Sequence, residues 1–346
     1  MSGRLLALGL GLASATALGS DALLEGGAAF TTTSADNPRT GNASVNGVVD
    51  YSLGPSWEVS ASLQYLRDFA TKTSETTARG SNVFLIGASA IFAPSEHWLT
   101  MLLINGSPPS DQRNATTVTW ASGKSADVVI DSHGWTLGGL WTGAYSTGGL
   151  SDFESTVDLV LGVNHFDVFQ QAELPNTARS QALRSLCDTT AGKRTNLCAL
   201  VNGTSTPLFQ ARLGAGYLAT LFGHTDLGLD AAYYLYDRDP ATVGYFSVVA
   251  LGDAVVGAGL PVLPLQLSVK PSVTRRFEHF VVRLSYQLGL YPDGSGSNHL
   301  AGLKVTWKVS KLLRFWVNGT GQLDLGAGGA VQNPGGSVLL GTMVSW

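Results

Sequence analysis

Along much of the chain, apolar and polar residues alternate in segments of about ten residues, the length of a strand that crosses a membrane. Successive side chains of a β-strand point to opposite faces, so each segment predicts a strand with one apolar and one polar face. In 279–290 the apolar positions are Phe280, Val282, Leu284, Tyr286, Leu288 and Leu290, and the polar positions between them include Arg283, Ser285 and Gln287. The same alternation recurs in both halves of the chain and predicts an all-β protein.

The connections between these segments are alternately short and long. The short ones are 54–56, 94–97, 146–149, 222–225, 275–278 and 310–311, and the long ones lie near 35–43, 67–80, 105–130, 166–206, 237–262, 291–298 and 325–336. Outer-membrane barrels have short periplasmic turns and longer external loops. The chain is therefore predicted to form an antiparallel transmembrane β-barrel of fourteen strands, with both ends in the periplasm. Leu24–Thr33 has the weakest strand pattern of the fourteen.

Two segments allow a different interpretation. Gly244–Leu263 is predicted to be a helix in an outer loop, or else two further strands, which would make sixteen. Gln170–Asp188 is polar and predicts a short helix in the longest loop. Cys187 and Cys198 lie 11 residues apart in one polar stretch, and in an exported chain two nearby cysteines predict a local disulfide.

The composition agrees with a membrane barrel. Charged residues make up 13% of the chain, against about 25% in soluble domains, and glycine accounts for 42 of 346 residues. A membrane-spanning helix needs about 20 consecutive apolar residues, and only the N-terminus comes near that length. A soluble β-sandwich would also alternate, but it should expose a charged face. The polar face here is mostly Ser, Thr, Gly and Gln.

Both ends of the chain carry signals of export. Arg4, the apolar run Leu5–Leu18 and the small residues that follow predict a signal peptide over 1–19, with a single anchoring helix as the alternative. The barrel domain would then span 20–346. The final segment, Ser337–Trp346, alternates and ends on an aromatic residue, and we expect the barrel-assembly machinery to recognise this strand. These features predict localisation in the bacterial outer membrane.

The charges on the polar faces differ in sign between the two parts of the chain. The first nine strands carry mostly acids, namely Asp50, Glu58, Glu154, Asp158, Asp226 and Asp230. The bases are Arg212, in the same part, and Lys270, Arg283, Lys304, Lys308 and Arg314 in the last five strands. Strands far apart in sequence lie opposite one another in a closed barrel, so an acidic arc is predicted to face a basic arc across the lumen. Asp158, Asp230, Arg283 and Lys304 fall near mid-strand and are candidates for the narrowest level.

In its signal peptide, alternation, loop asymmetry and terminal aromatic residue, the chain resembles bacterial porin-like outer-membrane proteins as a class. General porins set acids against bases at their constriction, which orients polar solutes and screens ions. The resemblance implies a channel for passive diffusion of small polar solutes. Two alternatives stay open. One is a carrier of hydrophobic ligands, motivated by the apolar stretch Tyr245–Leu263, and the other is a structural or enzymatic barrel whose lumen is filled.

The sequence argues against several other classes. A net charge of −4 without a basic run gives no basis for a nucleic-acid partner. No Gly-x-Ser-x-Gly, His-Glu-x-x-His or phosphate-loop motif is present, so we expect neither an enzyme nor a bound metal or cofactor. The expected partners are outer-membrane lipid and small solutes. A homo-oligomer, common among porins, is compatible with the sequence, which contains no recognisable interface.

Overall fold

The computed structural model describes residues 20–33, 40–68, 71–72, 77–78, 82–119, 125–147, 153–174, 178–189, 198, 201–238, 265–294, 296–326, 329 and 331–345. Fourteen strands form one antiparallel sheet that closes into a barrel, each strand pairing with its sequence neighbours. They are β1 Ser20–Thr33, β2 Thr40–Ser52, β3 Trp57–Asp68, β4 Asn82–Phe92, β5 Trp98–Thr119, β6 Ser125–Ser146, β7 Phe153–Glu173, β8 Thr204–Leu221, β9 Thr225–Tyr236, β10 Leu267–Arg276, β11 Phe280–Leu290, β12 Gly296–Lys308, β13 Leu313–Gly326 and β14 Val331–Ser345.

The predicted fold class and strand number are confirmed. The weakly patterned first strand forms as β1, and it closes the barrel by pairing with both β2 and β14. Because β9 and β10 pair directly, the barrel has fourteen strands and not sixteen. Gly244–Leu263, where the helix or the two extra strands were predicted, lies outside the described residues, as do the predicted signal peptide and Trp346.

The alternation in sequence becomes an apolar outer surface and a more polar lumen. On β7, Val157, Leu159 and Leu161 are each 44–53% exposed, whereas their neighbours Asp158 and Val160 are below 10%. Large exposed apolar residues also occur on the other strands from β2 to β14. An exposed apolar belt of this size is unfavourable in water and is stabilised by lipid.

Aromatic residues mark two levels of this outer surface. Near the short turns, the rings of Trp57 and Phe92 lie 4.6 Å apart and those of Trp98 and Tyr145 lie 4.9 Å apart. Towards the long loops, Tyr65 and Phe84 form a second pair, with ring centroids at 4.9 Å. Two such girdles are expected at the two interfaces of a membrane.

The short turns hold the strands in register. Phe222 and Gly223 link β8 to β9, both with positive φ, and the amide of His224 donates to the carbonyl of Leu221 at 3.1 Å. Positive φ at both central residues defines the tight hairpin whose twist matches that of the strands. Phe222 is the one described non-glycine residue with positive φ, and its ring is 69% exposed at the short-turn rim, where an interfacial aromatic residue is favourable.

Two of the predicted long loops are wrong in extent. The loop predicted near 105–130 is mostly strand, because β5 and β6 pair from Trp98 opposite Tyr145 to Thr119 opposite Ser125. A register shift at Ser107–Ser110, where Pro108 and Pro109 lie, interrupts the ladder without ending it. Similarly, β7 continues to Glu173, into the loop predicted to begin near residue 166. These extensions lie beyond the apolar belt, where a strand needs no apolar face, so the periodicity did not mark them.

Helix α1 spans Ala178–Cys187 in the connection between β7 and β8. The helix predicted over Gln170–Asp188 therefore forms, but it begins eight residues later than predicted because β7 takes up the first part. The predicted disulfide between Cys187 and Cys198 is present, with the two Cα atoms 5.0 Å apart. Among the described residues no helix has the length and apolar character needed to cross a membrane.

One interruption of the ladder lies in mid-membrane, at Pro271 of β10. The pairing of β10 with β9 continues through Pro271 opposite Leu229, but pairing with β11 is missing at Lys270 and Pro271 and resumes at Ser272 in the same register. Proline has no amide hydrogen, so the missing donor is one that would have faced β11.

Replacing Pro271 with alanine is expected to restore this hydrogen bond and raise the free energy of unfolding by about 1 kcal/mol. Urea unfolding of the folded protein in lipid vesicles would measure the change. Val273→Ala, another lipid-facing change on β10 that leaves the backbone donors intact, serves as the control and should lower stability. An unchanged or lower stability of Pro271→Ala would show that the interruption costs the barrel nothing.

Candidate functional site

The lumen side of the barrel is the candidate site, because alternate residues of every strand project into it. All twelve charged residues assigned from the sequence lie at inward positions, between outward residues that are apolar or exposed. They occupy two levels. Asp50, Glu58, Glu154, Asp226, Lys308 and Arg314 are among the first three residues of their strands counted from the short turns. The others lie deeper.

The deeper charges form what we call the mid-lumen charge belt. It comprises Asp158, Arg212, Asp230, Lys270, Arg283 and Lys304, which lie on the six consecutive strands β7 to β12. Five of them are the fourth to seventh residues from the short-turn end of their strands, and Arg212 is the tenth. Asp230 lies opposite Lys270, and Arg283 lies opposite Lys304, in the cross-strand register.

Gly216 on β8 allows the two acids of the belt to approach each other. It lies between Asp158 and Asp230 in the register. A Cβ at Gly216 would meet Oδ1 of Asp158 at 2.1 Å, so the Asp158 carboxylate occupies the space above this glycine. Asp158 is 5% exposed and interacts electrostatically with Asp230, which repels it, and with Arg212, which attracts it. A side chain at Gly216 would displace this carboxylate.

The belt changes the arrangement of charge that the sequence predicted. In a closed barrel of fourteen strands, the strand opposite any other lies seven positions away. The strands opposite β7 and β9 are β14 and β2, and β14 has no charged residue, whereas β2 contributes the acid Asp50. The sign change between Asp230 and Lys270 falls between adjacent strands. The mid-depth acids therefore lie beside the bases, on one side of the lumen, instead of facing them.

The wall opposite the basic part of the belt is apolar near the short turns. Ile91 on β4, Leu99 and Met101 on β5 and Ala144 on β6 are inward residues that pack together and are buried. These strands lie seven positions from β11, β12 and β13. The lumen is thus asymmetric, with charge on one side and hydrocarbon on the other.

At the short-turn mouth the structure pairs two charges, one of which the sequence did not assign to the lumen. Arg276 forms an ion pair with Asp226, which is 3% exposed and also accepts a hydrogen bond from Oγ1 of Thr220 at 3.0 Å. Arg276 was missed because the turn was predicted at 275–278, whereas β10 continues through it. Arg276 continues the inward series of every second residue, Lys270, Ser272 and Thr274, and this alternation could have identified it from the sequence. Asp50 and Glu58 lie on β2 and β3, away from the belt.

Lys308 and Arg314 also lie at this mouth, opposite each other in the register. Glu154 on β7 accepts a hydrogen bond from Oγ of Ser146 at 3.1 Å. The mouth therefore has acids on β2, β3, β7 and β9 and bases on β10, β12 and β13. Here the predicted separation of sign between early and late strands is present along the rim.

Towards the long loops, amide and phenol groups replace the charges. The side chain of Asn164 donates to Gln210 at 3.4 Å, Gln210 donates to the Tyr236 hydroxyl at 3.1 Å, and that hydroxyl donates to the carbonyl of Leu265 at 2.7 Å. Leu265 is fully buried against Ala232 and Tyr234. It precedes β10, which begins two residues later. The sequence did not single out this network.

A second polar group lies at the same end, on β12, β13 and the connection after β11. Asp324 accepts hydrogen bonds from Nδ2 of Asn298 at 2.6 Å and from the hydroxyl of Tyr291 at 3.1 Å. Burial, together with the neighbouring Asp324 carboxylate, raises the pKa of Tyr291 above its usual value. Tyr291 therefore stays protonated and remains a hydrogen-bond donor.

The fold resembles that of known membrane barrels. The toluene transporter TbuX of Ralstonia pickettii matches with a TM-score of 0.53 and 9% identity, over 95% of this chain and 90% of that one. The monoaromatic hydrocarbon channel CymD matches with a TM-score of 0.51 and 10% identity, over 94% and 88%. No protein-family model matches the chain, and no curated protein matches it. Together with the apolar belt and aromatic girdles, the fold is that of a bacterial outer-membrane β-barrel.

Proposed function

We propose that the chain is an outer-membrane channel whose water-filled lumen allows small polar solutes to diffuse passively. The observation that carries the proposal is the mid-lumen charge belt. Five of its six side chains are partly exposed at the depth of the apolar belt, and only Asp158 is buried. A charged group without hydration or a paired partner is very unfavourable in a low-dielectric interior, so partly exposed charges at this depth favour water in the lumen.

The distribution of charge also favours a channel over a filled barrel. In a lumen closed by salt bridges the charges would be matched in pairs. Along the belt, four bases accompany two acids, and Arg283 and Lys304 lie next to each other. An unbalanced charged surface of this kind attracts and orients polar solutes of the opposite sign. The proposal gives the chain no catalytic activity.

Planar-bilayer recording of the purified protein tests the proposal. Discrete conductance steps are expected, and Lys270→Gln and Asp230→Asn should shift the ion selectivity in opposite directions, towards cations and towards anions respectively. The two changes are nearly isosteric and affect residues that lie opposite each other, so each is the control for the other. Correctly folded protein without conductance would contradict the channel.

A carrier of hydrophobic ligands is the second candidate. It is favoured by the apolar cluster of Ile91, Leu99, Met101 and Ala144 on the lumen side. Two of the similar structures, TbuX and CymD, are a toluene transporter and a monoaromatic hydrocarbon channel. In that case, detergent-solubilised protein should bind toluene saturably, and Met101→Gln should weaken the binding. The stretch Tyr245–Leu263, which first suggested this function, lies outside the described residues.

Further features of the sequence remain parts of the proposal. They are a signal peptide over 1–19, recognition of the strand ending at Trp346 by the barrel-assembly machinery, and a homo-oligomer like those that porins form. Pulse labelling that detects a processed form would test the first of these.

A further inference from the structure

Two cations of the belt lie together without a counter-charge. Arg283 on β11 and Lys304 on β12 are directly opposite in the register, both point into the lumen, and both are partly exposed. Opposed residues of an antiparallel pair have Cβ atoms about 5 Å apart, and like charges at that distance destabilise the pair. Within the described part of the chain, neither forms an ion pair with a carboxylate.

The other charges near this pair do not neutralise it. Asp230 lies opposite Lys270 and two strands away from Arg283, and Lys270 is repelled by Arg283. Arg212 adds a further positive charge to the same region and also repels Lys270. An anion entering the lumen would therefore relieve a repulsion that the folded barrel itself leaves in place.

The row that begins with these cations becomes apolar along the next strands. In the register, Lys304 lies opposite Asn318 on β13, and Asn318 lies opposite Leu339 on β14. The row Arg283, Lys304, Asn318, Leu339 thus runs across four strands of the lumen wall, from charge through amide to hydrocarbon. With strands about 4.8 Å apart, Leu339 is roughly 10 Å from Lys304 along the wall.

Trp316 completes the surface beside this row. It is an inward residue of β13, lies opposite Gly341 of β14, and has Lys304 Nζ 5.0 Å from its ring centroid. Its indole N–H is buried and has no hydrogen-bond acceptor among the described residues. The ring is a flat apolar surface next to a cation.

We propose that Arg283, Lys304 and Trp316 form a binding site in the lumen for small amphipathic carboxylates, in which Leu339 contacts the apolar body of the solute. The carboxylate accepts hydrogen bonds from the guanidinium and ammonium groups, since Arg suits the two oxygens of a carboxylate. The body, about the size of a phenyl ring, covers Trp316 and extends towards Leu339. This proposal rests on the channel function and names its substrate class.

Benzoate is the probe for a planar-bilayer test with the full chain in KCl. It should lower the conductance in a concentration-dependent way, whereas benzyl alcohol and benzylammonium, which match it in size, should have at least tenfold weaker effects. Acetate, which has the charge without the ring, should also act more weakly than benzoate. Equal effects of benzoate and benzyl alcohol would overturn the proposal in favour of an apolar site, and equal effects of acetate and benzoate would remove Trp316 and Leu339 from it.

Variants separate the parts of the site. Arg283→Gln combined with Lys304→Gln should weaken the benzoate effect at least tenfold and shift selectivity from chloride towards potassium. Trp316→Leu should weaken benzoate but leave acetate unchanged. Lys311→Gln, which removes the same charge from an exposed position in the short turn after β12, is the matched control and should leave both unchanged. An unaltered benzoate effect in the double variant would contradict the site.

The experiments distinguish a refutation of the carboxylate site from a refutation of the proposed channel function. If openings occur but benzoate does not act selectively, the channel stands and the carboxylate site falls. If no openings occur, the channel falls, and calorimetric titration of benzoate into the detergent-solubilised protein decides the site on its own. Saturable binding that the double variant loses would support the site, and no binding would overturn it.

Discussion

Leu284→Arg is expected to destabilise the barrel by about 2–4 kcal/mol, the cost of an arginine on the lipid face at the bilayer midplane. Leu284 lies near the middle of β11, is 54% exposed, and is opposite Leu303 and Val273, which are also exposed apolar residues. All three face lipid, so a guanidinium at this position would have to leave water or distort the bilayer. Urea unfolding in phospholipid vesicles measures the loss.

Two control variants test whether the effect depends on the face of the strand and on the depth in the membrane. Gln64→Arg introduces the same side chain on the lumen face of β3, where its register partners Asn46 and Leu85 are uncharged, and its effect should stay within about 0.5 kcal/mol. Phe280→Arg, on the lipid face at the short-turn rim, should cost about 0–1 kcal/mol. If Gln64→Arg were as harmful as Leu284→Arg, the assignment of inner and outer faces would be wrong.

Arg276→Ala is expected to lower the free energy of unfolding by about 2 kcal/mol. The change leaves Asp226, only 3% exposed, without its cation. Removing one partner of a buried ion pair is costly because the other charge stays buried and uncompensated. Arg276 itself is 37% exposed, which reduces the effect below that of a fully buried pair.

A double-mutant cycle shows whether this cost comes from the stranded carboxylate. Asp226→Asn keeps an acceptor for the hydroxyl of Thr220 and removes the charge, so Arg276→Ala should be much less harmful in that background. A coupling energy of about 1 kcal/mol or more is expected for two residues in direct contact. Additive effects would mean that the pair contributes nothing beyond its separate members.

The sequence predicted the fold well where membrane and lumen constrain it. Inside the apolar belt, period-two alternation is required, because one face meets lipid and the other meets the lumen. The apolar positions Phe280, Leu284 and Tyr286 are outward and exposed, as predicted. Beyond the belt both faces of a strand meet water. Thr116 and Thr117 therefore showed no apolar face, although they pair with β6. The polar composition of this stretch predicted a loop, but its backbone pairs with β6 and forms a strand.

For the candidate site, the alternation of polar and apolar positions identified the inward residues, but it did not show which residues contact one another across strands. Which side chain lies opposite which depends on register, as with Arg283 and Lys304, and on where each turn falls, as with Arg276. The space that Gly216 leaves for Asp158 also depends on register, since the two residues are far apart in sequence. Neutral groups such as Asn164 and Gln210 are common on polar faces, so their hydrogen bond had no distinctive sequence signal.

The extended strands β5, β6 and β7 have a consequence for the side that carries the long connections. β5 has 22 residues, roughly twice what a tilted strand needs to cross the bilayer. The surplus would raise one side of the barrel by roughly 25 Å above the membrane surface. This part is held by main-chain hydrogen bonds instead of by turns alone. To an antibody or a bacteriophage approaching the cell, the protein would present an ordered epitope of paired strands.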